Sequence, residues 1–357
     1  MNEGELLLNV LKVFGLSALS FFIAFFSTPL LTHYLYKHKL WVKNVERQAI
    51  SGESAVVISG ILKNRTQPNT PRMGGILIWG TICFVTLLFW AASRISDSAM
   101  LIKLNYFSRN QTWLPLAGLV AASFVGFLDD WLHIHGKGKY IGGGLELTYR
   151  IVLVLLIGAV GAWWFYGPLG ARSIAIPFWG DLYLGFFFIP FFMLTMLAVF
   201  SSGIIDGLDG LAGGVLASVI AAYGGIAFFQ QQIDLAAFLG VMGGALLAFL
   251  WYNIPPARFY MGETGMLGLT TALTMVAFLT DAVVVFPIIA FPLVLETGSV
   301  IIQVVSKKIR GKKVFRAAPL HHHFEAIGWP HYKVTMRFWV VSLVTALVGM
   351  VIHLVGK

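Results

Sequence analysis

Two adjacent carboxylates, Asp129 and Asp130, directly follow the apolar run from Trp113 to Leu128. Adjacent like charges repel, so one carboxyl tends to keep its proton unless a cation shares the site. Mg²⁺ in proteins is bound by carboxylates together with phosphate oxygens. The doublet therefore predicts a metal and phosphate site at the end of the apolar run. A solvated helix end is the alternative that the pair alone leaves open.

A second pair of acids, Asp206 and Asp209, lies in a glycine-rich stretch just before another apolar run. The two acids are three positions apart, so on a helix they would share a face. Gly207 and Gly210 would allow a ligand or a neighbouring helix to approach the backbone closely. The stretch is interpreted either as part of a ligand site or as a capped helix start with glycine packing.

A loop that begins at Asn253 brings an amide, an aromatic ring and a carboxylate together within a short stretch. Pro255 and Pro256 end the preceding helix, and Tyr260 and Glu263 follow. The Tyr260 ring offers a stacking surface for a nucleotide base. Alternatively, it belongs to the aromatic belt that lines a membrane surface.

Three consecutive histidines, His321, His322 and His323, lie in the most basic loop of the chain. Adjacent side chains on a helix do not face each other, so a three-histidine zinc site is not expected. Phosphate binding by one or two imidazoles, beside Arg316, fits these residue types better. The alternative is a solvated basic loop.

Three isolated polar residues complete the set of candidates. Arg72 precedes Gly74 and Gly75, an arrangement that can hold a phosphate. Glu296 and Gln303 are seven positions apart in an apolar run, so they share a helical face. An acid inside an apolar run is by default functional or internally paired. We expect an internal pair for Glu296 and a ligand contact for Gln303.

The composition defines the elements that must position these residues. The chain is 58% hydrophobic and 11% charged, whereas soluble domains carry about 25% charged residues. The apolar runs are continuous, which favours membrane helices over barrel strands. The single cysteine, Cys83, excludes a disulfide framework. We therefore expect an all-α, polytopic integral membrane protein that forms one ten-helix domain over residues 1–357.

Ten apolar segments are long enough to cross a bilayer as helices. The predicted segments are 10–32, 74–93, 113–128, 147–166, 183–201, 211–230, 236–252, 266–280, 283–305 and 335–355. The first segment is preceded by Glu3 and Glu5 and by no basic region, so it is interpreted as a retained helix and not as a cleaved signal.

Basic residues predict the orientation. Most of the 25 Lys and Arg residues fall on one side of the predicted bundle, which the positive-inside rule makes cytoplasmic. The six on the other side are Lys12, Arg94, Lys103, Arg109, Arg172 and Lys357. Both termini are then extracytoplasmic. The predicted cytoplasmic loops are about 33–73, 129–146, 202–210, 253–265 and 306–334. Topology accounts for the net charge of +9, so a nucleic-acid partner is not expected.

The candidate residues of the doublet, the glycine-rich stretch, the 253–265 loop and the histidine run all fall on this cytoplasmic side. A transporter would place such groups near the middle of the membrane, on broken helices. The distribution therefore favours chemistry on a cytosolic substrate, with a transporter or scramblase as the alternative.

The order of these motifs resembles the polyprenyl-phosphate N-acetylhexosamine-1-phosphate transferases, and the resemblance covers essentially the whole chain. Its motifs are Pro71-Arg-Met-Gly-Gly75, Leu128-Asp-Asp130, Asp206-Gly-Leu-Asp-Gly-Leu-Ala212, Met261-Gly-Glu-Thr-Gly265 and Ala318-Pro-Leu-His-His-His-Phe-Glu325. The histidine run resembles the muramoyl branch of that family. Three residues depart from the family's pattern: Glu263 stands where the family usually has Asp, Gly203 where it has Asn, and Arg72 where it has Thr, as in the N-acetylglucosamine branch.

The resemblance implies an Mg²⁺-dependent reaction in the bacterial cytoplasmic (inner) membrane. Phospho-MurNAc-pentapeptide would pass from UDP-MurNAc-pentapeptide to undecaprenyl phosphate, giving lipid I and UMP in peptidoglycan synthesis. The alternative within the family is transfer of GlcNAc-1-phosphate from UDP-GlcNAc. Membrane lipid, and a second copy in a homodimer, are further partners that the family suggests.

The resemblance also implies roles for individual residues. It assigns Asp129, Asp130 and His322 to catalysis, with Asp129 deprotonating or orienting the lipid phosphate. Asp129, Asp130 and Glu263 would hold the metal. The residues implied in substrate binding are Arg72, Asp206, Asp209, Asn253, Tyr260, Gln303, His321 and His323. A one-step displacement is expected, and a covalent intermediate on Glu263 is the alternative.

Overall fold

The computed structural model describes residues 3–41, 69–108, 111–137 and 144–357. Parts of the predicted loops 33–73 and 129–146 lie outside these ranges. The helices, in chain order, are α1 (Glu3–Val10), α2 (Leu16–Lys37), α3 (Gly75–Ile95), α4 (Ala99–Leu104), α5 (Trp113–Ile134), α6 (Leu147–Tyr166), α7 (Phe188–Ser201), α8 (Leu211–Phe229), α9 (Ile233–Asn253), α10 (Glu263–Leu279), α11 (Phe286–Ile289), α12 (Phe291–Arg310), α13 (Leu320–Ala326) and α14 (His331–Val355). A π-helical turn, Leu11–Gly15, joins α1 to α2.

Eight helical stretches among the described residues are long and apolar enough to cross a membrane. They are Glu3–Lys37, Gly75–Ile95, Trp113–Ile134, Leu147–Tyr166, Gly185–Ile205, Leu211–Phe229, Ile233–Asn253 and His331–Val355. The chain is therefore a multi-pass membrane protein, as its composition predicts.

The other two predicted segments are helical but do not meet the same test. Helix α10 has 17 residues, about 26 Å at the helical rise, and is buried along almost its whole length. The predicted segment 283–305 is divided between α11 and α12, and α12 ends in Lys307, Lys308 and Arg310. Among the described residues, eight of the ten predicted segments therefore meet this test, and the spanning of the other two stays a prediction.

The otherwise helical fold, which agrees with the all-α prediction, also contains a short antiparallel hairpin of two strands, β1 (Ser173–Ile176) and β2 (Gly180–Tyr183). The strands pair from Ser173 with Tyr183 to Ile176 with Gly180. Phe178 and Gly180 adopt positive φ in the turn. The predicted segment 183–201 therefore begins too early, because Tyr183 belongs to the strand.

Close helix crossings bring the candidate residues together. Helix α5 packs along α10, and Gly126 of α5 lies directly against the Glu263 carbonyl. Gly75, at the start of α3, lies against the backbone of Gly265. A side chain at either glycine would collide with that backbone. These crossings hold the start of α10 against the end of α5, where the doublet lies.

Backbone hydrogen bonds connect the loop before α3 to the loop before α10. Tyr260 N donates to Pro71 O (2.8 Å), and Gly74 N donates to Tyr260 O (2.8 Å). Gly75 N donates to Met261 O (2.9 Å). The Arg72 motif and the Glu263 motif are thereby fixed side by side, although nearly two hundred residues separate them in the chain.

Candidate active site

The doublet lies in the last turns of α5 and is buried, with Asp129 3% and Asp130 0% exposed. Asp130 Oδ2 accepts a hydrogen bond from Thr264 N (3.0 Å), at the start of α10. Asp129 Oδ1 accepts one from Leu145 N (2.6 Å), just before α6. The doublet is therefore not a solvated helix end. Both carboxylates are anchored by backbone donors from other segments.

Two arginines lie among the acids. Arg72 Nε is 3.4 Å from Asp130 Oδ1. Arg150 Nη1 is 3.0 Å from Glu263 Oε1 and 3.7 Å from Asp129 Oδ2. The sequence-based prediction included Arg72 but missed Arg150, which it treated only as a charge that sets topology. A basic residue at the start of the helix after an acidic doublet is the signal that could have identified it.

Asp206 and Asp209 lie in the turn between Ile205 and α8, within the predicted loop 202–210, so their three-residue spacing does not place them on a shared helical face. The glycines are the reason, since Gly210 adopts a positive φ of 74° immediately before α8 begins. Asp206 Oδ2 accepts a hydrogen bond from Gly262 N (3.0 Å). Asp209 Oδ2 accepts one from Ala257 N (3.1 Å). Both acids therefore hold the 254–262 loop.

Asn253 connects the same two segments from the end of α9. Its Oδ1 accepts a hydrogen bond from Gly210 N (3.0 Å), and its Nδ2 donates to Phe259 O (2.8 Å). The residue is buried. Because both ends of the amide bind backbone, Asn253 fixes the loop that carries Tyr260. The half-buried Tyr260 is held in turn by the backbone bonds to Pro71 and Gly74.

Arg72 is the residue that unites the acids, since it interacts electrostatically with Asp130, Glu263, Asp206 and Asp129. We call these four acids, with Arg72 and Arg150, the carboxylate pocket. Burial raises the pKa of Asp206 above its ordinary value, while the nearby Arg72 guanidinium opposes that rise. The pocket thus assembles the doublet, the glycine-rich turn and the start of α10 in one place.

The three histidines lie on α13, which we call the histidine helix, and each has a different partner. His321 Nδ1 is 2.7 Å from Glu296 Oε2, and His321 N donates to Glu296 Oε1 (3.1 Å). His322 Nδ1 is 2.8 Å from Glu325 Oε2. His323 Nδ1 accepts a hydrogen bond from Arg316 N (3.2 Å). The expected internal pair of Glu296 is confirmed, and the imidazoles do not converge on one point.

His321 connects the histidine helix to the carboxylate pocket. Its ring lies against Gly207 and interacts electrostatically with Asp206. Its Nε2 is buried and has no hydrogen-bond partner among the described residues. By contrast, the Gln303 amide is engaged by backbone: its Oε1 accepts from Val314 N and Phe315 N (3.0 Å each), and its Nε2 donates to Phe315 O (2.9 Å).

The donor chemistry of the pocket suits Mg²⁺, which prefers carboxylate oxygens. Asp129, Asp130 and Glu263 supply such oxygens from two helices that pack together. In the part of the chain that the structure describes, however, no three acidic, histidine or cysteine side chains stand close enough to enclose an ion. Arg150 lies between Asp129 and Glu263. The carboxylate ligands fit Mg²⁺ by type, but a guanidinium group lies between two of these carboxylates.

Comparison with known proteins gives the family. Residues 112–281 match the family described as glycosyl transferase family 4. A phospho-N-acetylmuramoyl-pentapeptide-transferase of Clostridium perfringens is 34% identical over 341 residues, which cover 95% of this chain and 98% of that protein. The protein of the same name from Borrelia garinii is 35% identical over 300 residues, or 78% of this chain and 80% of its own. The chain belongs to the phospho-N-acetylmuramoyl-pentapeptide-transferase family.

Proposed function

We propose that this protein transfers phospho-MurNAc-pentapeptide from UDP-MurNAc-pentapeptide to undecaprenyl phosphate, forming lipid I and UMP in peptidoglycan synthesis. The reaction takes place at the cytoplasmic face of the bacterial inner membrane, with both termini on the opposite side. The observation that carries this proposal is the carboxylate pocket, which gathers acids from three separate motifs around Arg72. The relatives of the same name, aligned over most of the chain, support it.

The metal has a defined place in this proposal. Asp129, Asp130 and Glu263 would hold Mg²⁺. The bound ion would neutralise negative charge on the pyrophosphate. Arg72 adds positive charge on the same side of the pocket. Backbone donors fix one oxygen of each carboxylate in the doublet, so the protein presents them in a set orientation.

The transfer proceeds in one displacement. An oxygen of the lipid phosphate attacks the sugar-linked phosphorus in line, a new P–O bond forms, and the bond to the UMP oxygen breaks. Asp129 orients the lipid phosphate or removes its proton. Its Oδ2 faces the Arg150 guanidinium, while Oδ1 is held by Leu145 N.

The remaining residues bind and position substrate. The pair of His322 with Glu325 fixes the His322 ring, and we assign that imidazole to the phosphates. Tyr260 offers its ring to the uracil base. We also assign Arg72, Asp206, Asp209, Asn253, Gln303, His321 and His323 to substrate binding. For Asp206, Asp209, Asn253 and Gln303 the contacts to backbone indicate that they act by holding loops.

The central test is UMP release by Asp129→Asn and Asp130→Asn variants at saturating Mg²⁺. We expect both to lose nearly all activity while remaining folded. Rates near wild type in both variants would overturn the proposal. Trapping a labelled phosphosugar on Glu263 would replace the one-step route with a covalent one.

The identity of the donor needs its own assay. Membranes that contain the protein are incubated with UDP-MurNAc-pentapeptide or with UDP-GlcNAc, with and without Mg²⁺, and lipid-linked product is extracted. We expect product only with the muramoyl donor and only with the metal. A GlcNAc-linked lipid would assign the chain to the N-acetylglucosamine branch, whose pattern Arg72 matches.

A further inference from the structure

Arg150 lies between two of the three carboxylates that the proposed function assigns to the metal. Its Nη1 is 3.0 Å from Glu263 Oε1 and 3.7 Å from Asp129 Oδ2. The Arg150 side chain is 12% exposed, that of Asp129 5% and that of Glu263 24%. A single protein cation therefore already occupies the space between these carboxylates, in a largely buried setting.

Arg150 balances part of the negative charge of the carboxylate pocket. Four acids, Asp129, Asp130, Asp206 and Glu263, surround Arg72, and Arg150 faces two of them. Buried acids without a counter-charge are strongly destabilising. If all four acids are ionised, the two guanidiniums leave two negative charges, which is the charge that one divalent cation neutralises.

The anchored oxygens differ from those that face Arg150. Asp129 Oδ1 and Asp130 Oδ2 accept backbone hydrogen bonds and are fixed by the fold. Asp129 Oδ2 and Glu263 Oε1 face the guanidinium instead. A metal that takes these two oxygens must displace Arg150, while the backbone anchors stay in place.

We propose that Arg150 is a resident counter-cation that competes with the divalent metal for Asp129 and Glu263 and so sets the metal affinity of the pocket. With no metal bound, it keeps the two carboxylates together. When the metal binds, the guanidinium leaves them, and the positive charge it carries becomes available to substrate phosphate oxygens. The proposal rests on the proposed function only for the assignment of these carboxylates to a metal.

Glu263 reaches Arg150 because its side chain is one methylene longer than that of aspartate. An aspartate at this position would withdraw the carboxylate by about 1.5 Å, the length of one C–C bond. That withdrawal takes the oxygen from 3.0 Å to beyond hydrogen-bond distance from Arg150. Shortening residue 263 should therefore release the carboxylate from its competitor without removing its charge.

The test measures metal binding directly, as Mn²⁺ titrated into the full-length protein in lipid nanodiscs and followed by electron paramagnetic resonance, with no substrate present. Arg150→Met should bind Mn²⁺ about ten- to a hundredfold more tightly, since one nearby positive charge is lost. Arg150→Lys should bind nearly as wild type does. Arg310→Met, which removes an exposed charge at the end of α12, is the matched control and should not change the affinity.

Glu263→Asp provides a second measurement if Arg150→Met does not yield folded protein. It should also tighten Mn²⁺ binding, because the carboxylate is kept and its pair with Arg150 is lost. Unchanged or weaker binding in a folded Arg150→Met or Glu263→Asp protein overturns the inference, and so does equal tightening in Arg310→Met. A wild-type protein that shows this Mn²⁺ behaviour but forms no lipid-linked product would overturn the proposed function and leave the inference standing.

Discussion

The carboxylate pocket and the histidine helix both bury acids, but they balance the charge of those acids differently. In the pocket, four acids share two arginines, and the partners come from far apart in the chain: 113 residues separate Arg150 from Glu263. On the histidine helix, His321 and His322 are each matched with one glutamate, Glu296 and Glu325. With all four acids ionised, the pocket therefore carries more negative than positive charge, which a ligand can neutralise, whereas the two histidines are each paired with a glutamate.

This difference in charge balance predicts different functions for the carboxylate pocket and the histidine helix. A region with surplus charge can bind a cation and a phosphate, and its chemistry depends on the charge itself. A region with matched pairs acts mainly by orienting groups, such as the His321 ring that lies against Gly207 and the His322 ring that we assign to the phosphates. Substitutions should therefore affect catalysis most in the pocket and less with distance from it.

The largest effect is expected for Asp130→Asn. The change removes a negative charge from a carboxylate that is fully buried, while the Asn oxygen can still accept the hydrogen bond from Thr264 N. We expect UMP release to fall by about 10³-fold, with an unchanged melting temperature. Asp97→Asn, which removes the charge of an exposed acid after α3, serves as the matched control and should keep the wild-type rate. A large loss of melting temperature would mean that Asp130 acts as a structural anchor.

Glu296→Ala tests whether the histidine helix is held by its pairs. The change leaves His321 N and Nδ1, both buried, without the carboxylate that accepts from them. We expect a destabilisation of about 3 kcal/mol, seen as a lower melting temperature, together with a roughly tenfold to hundredfold loss of rate. Glu296→Gln should restore part of both. If Glu296→Ala matches wild type in stability, the matched-pair description of this helix is wrong.

Asn253→Ala is expected to have a smaller effect than Glu296→Ala. It deletes two hydrogen bonds to backbone, worth about 2 kcal/mol together, that fix the loop carrying Tyr260. We expect the KM for the nucleotide substrate to rise about tenfold with a smaller change in kcat. Asn253→Asp retains the acceptor for Gly210 N and is the control. A change confined to kcat would instead place Asn253 in contact with the reacting groups.

The smallest effect is expected for His323→Ala. His323 is half-buried, and its Nδ1 accepts one hydrogen bond from Arg316 N on the exposed side. We expect at most about a threefold loss of rate, measured as UMP release, beside a much larger loss for His322→Ala. Equal losses for the two histidines would show that the His323 ring, bound by backbone, contributes as much as the His322 ring, which is paired with Glu325.

The sequence predicted the apolar helices well, because continuous apolar runs report membrane burial directly. It also identified the residues of the pocket by type, since Asp129, Asp130 and Glu263 are polar residues beside such runs. It missed Arg150 because the contact with Glu263 depends on helix packing, which charge counting does not describe. It placed Asp206 and Asp209 in the predicted loop 202–210, where Gly207 and Gly210 allow a turn, but the spacing of the two acids did not reveal which backbone groups they bind.

The hairpin and the burial of α10 were not predicted from the sequence, for a different reason. Strands β1 and β2 are only four residues each, too short to give a periodic pattern beside long apolar runs. Helix α10 has 17 residues and is buried along almost its whole length, so its apolar residues report packing inside the protein. Neither property can be read from hydropathy alone.

The order of the motifs along the chain also has a consequence for biosynthesis. Asp130 leaves the ribosome 134 residues before Thr264, whose backbone nitrogen anchors it, and Glu263 emerges equally late. Arg150 comes soon after the doublet, in the first turn of the next helix, α6, and domains form as the chain is made from its N-terminus. The salt bridge of Arg150 with Asp129 can therefore form early in membrane insertion, and it supplies the doublet with a counter-charge while the rest of the pocket is still being synthesised.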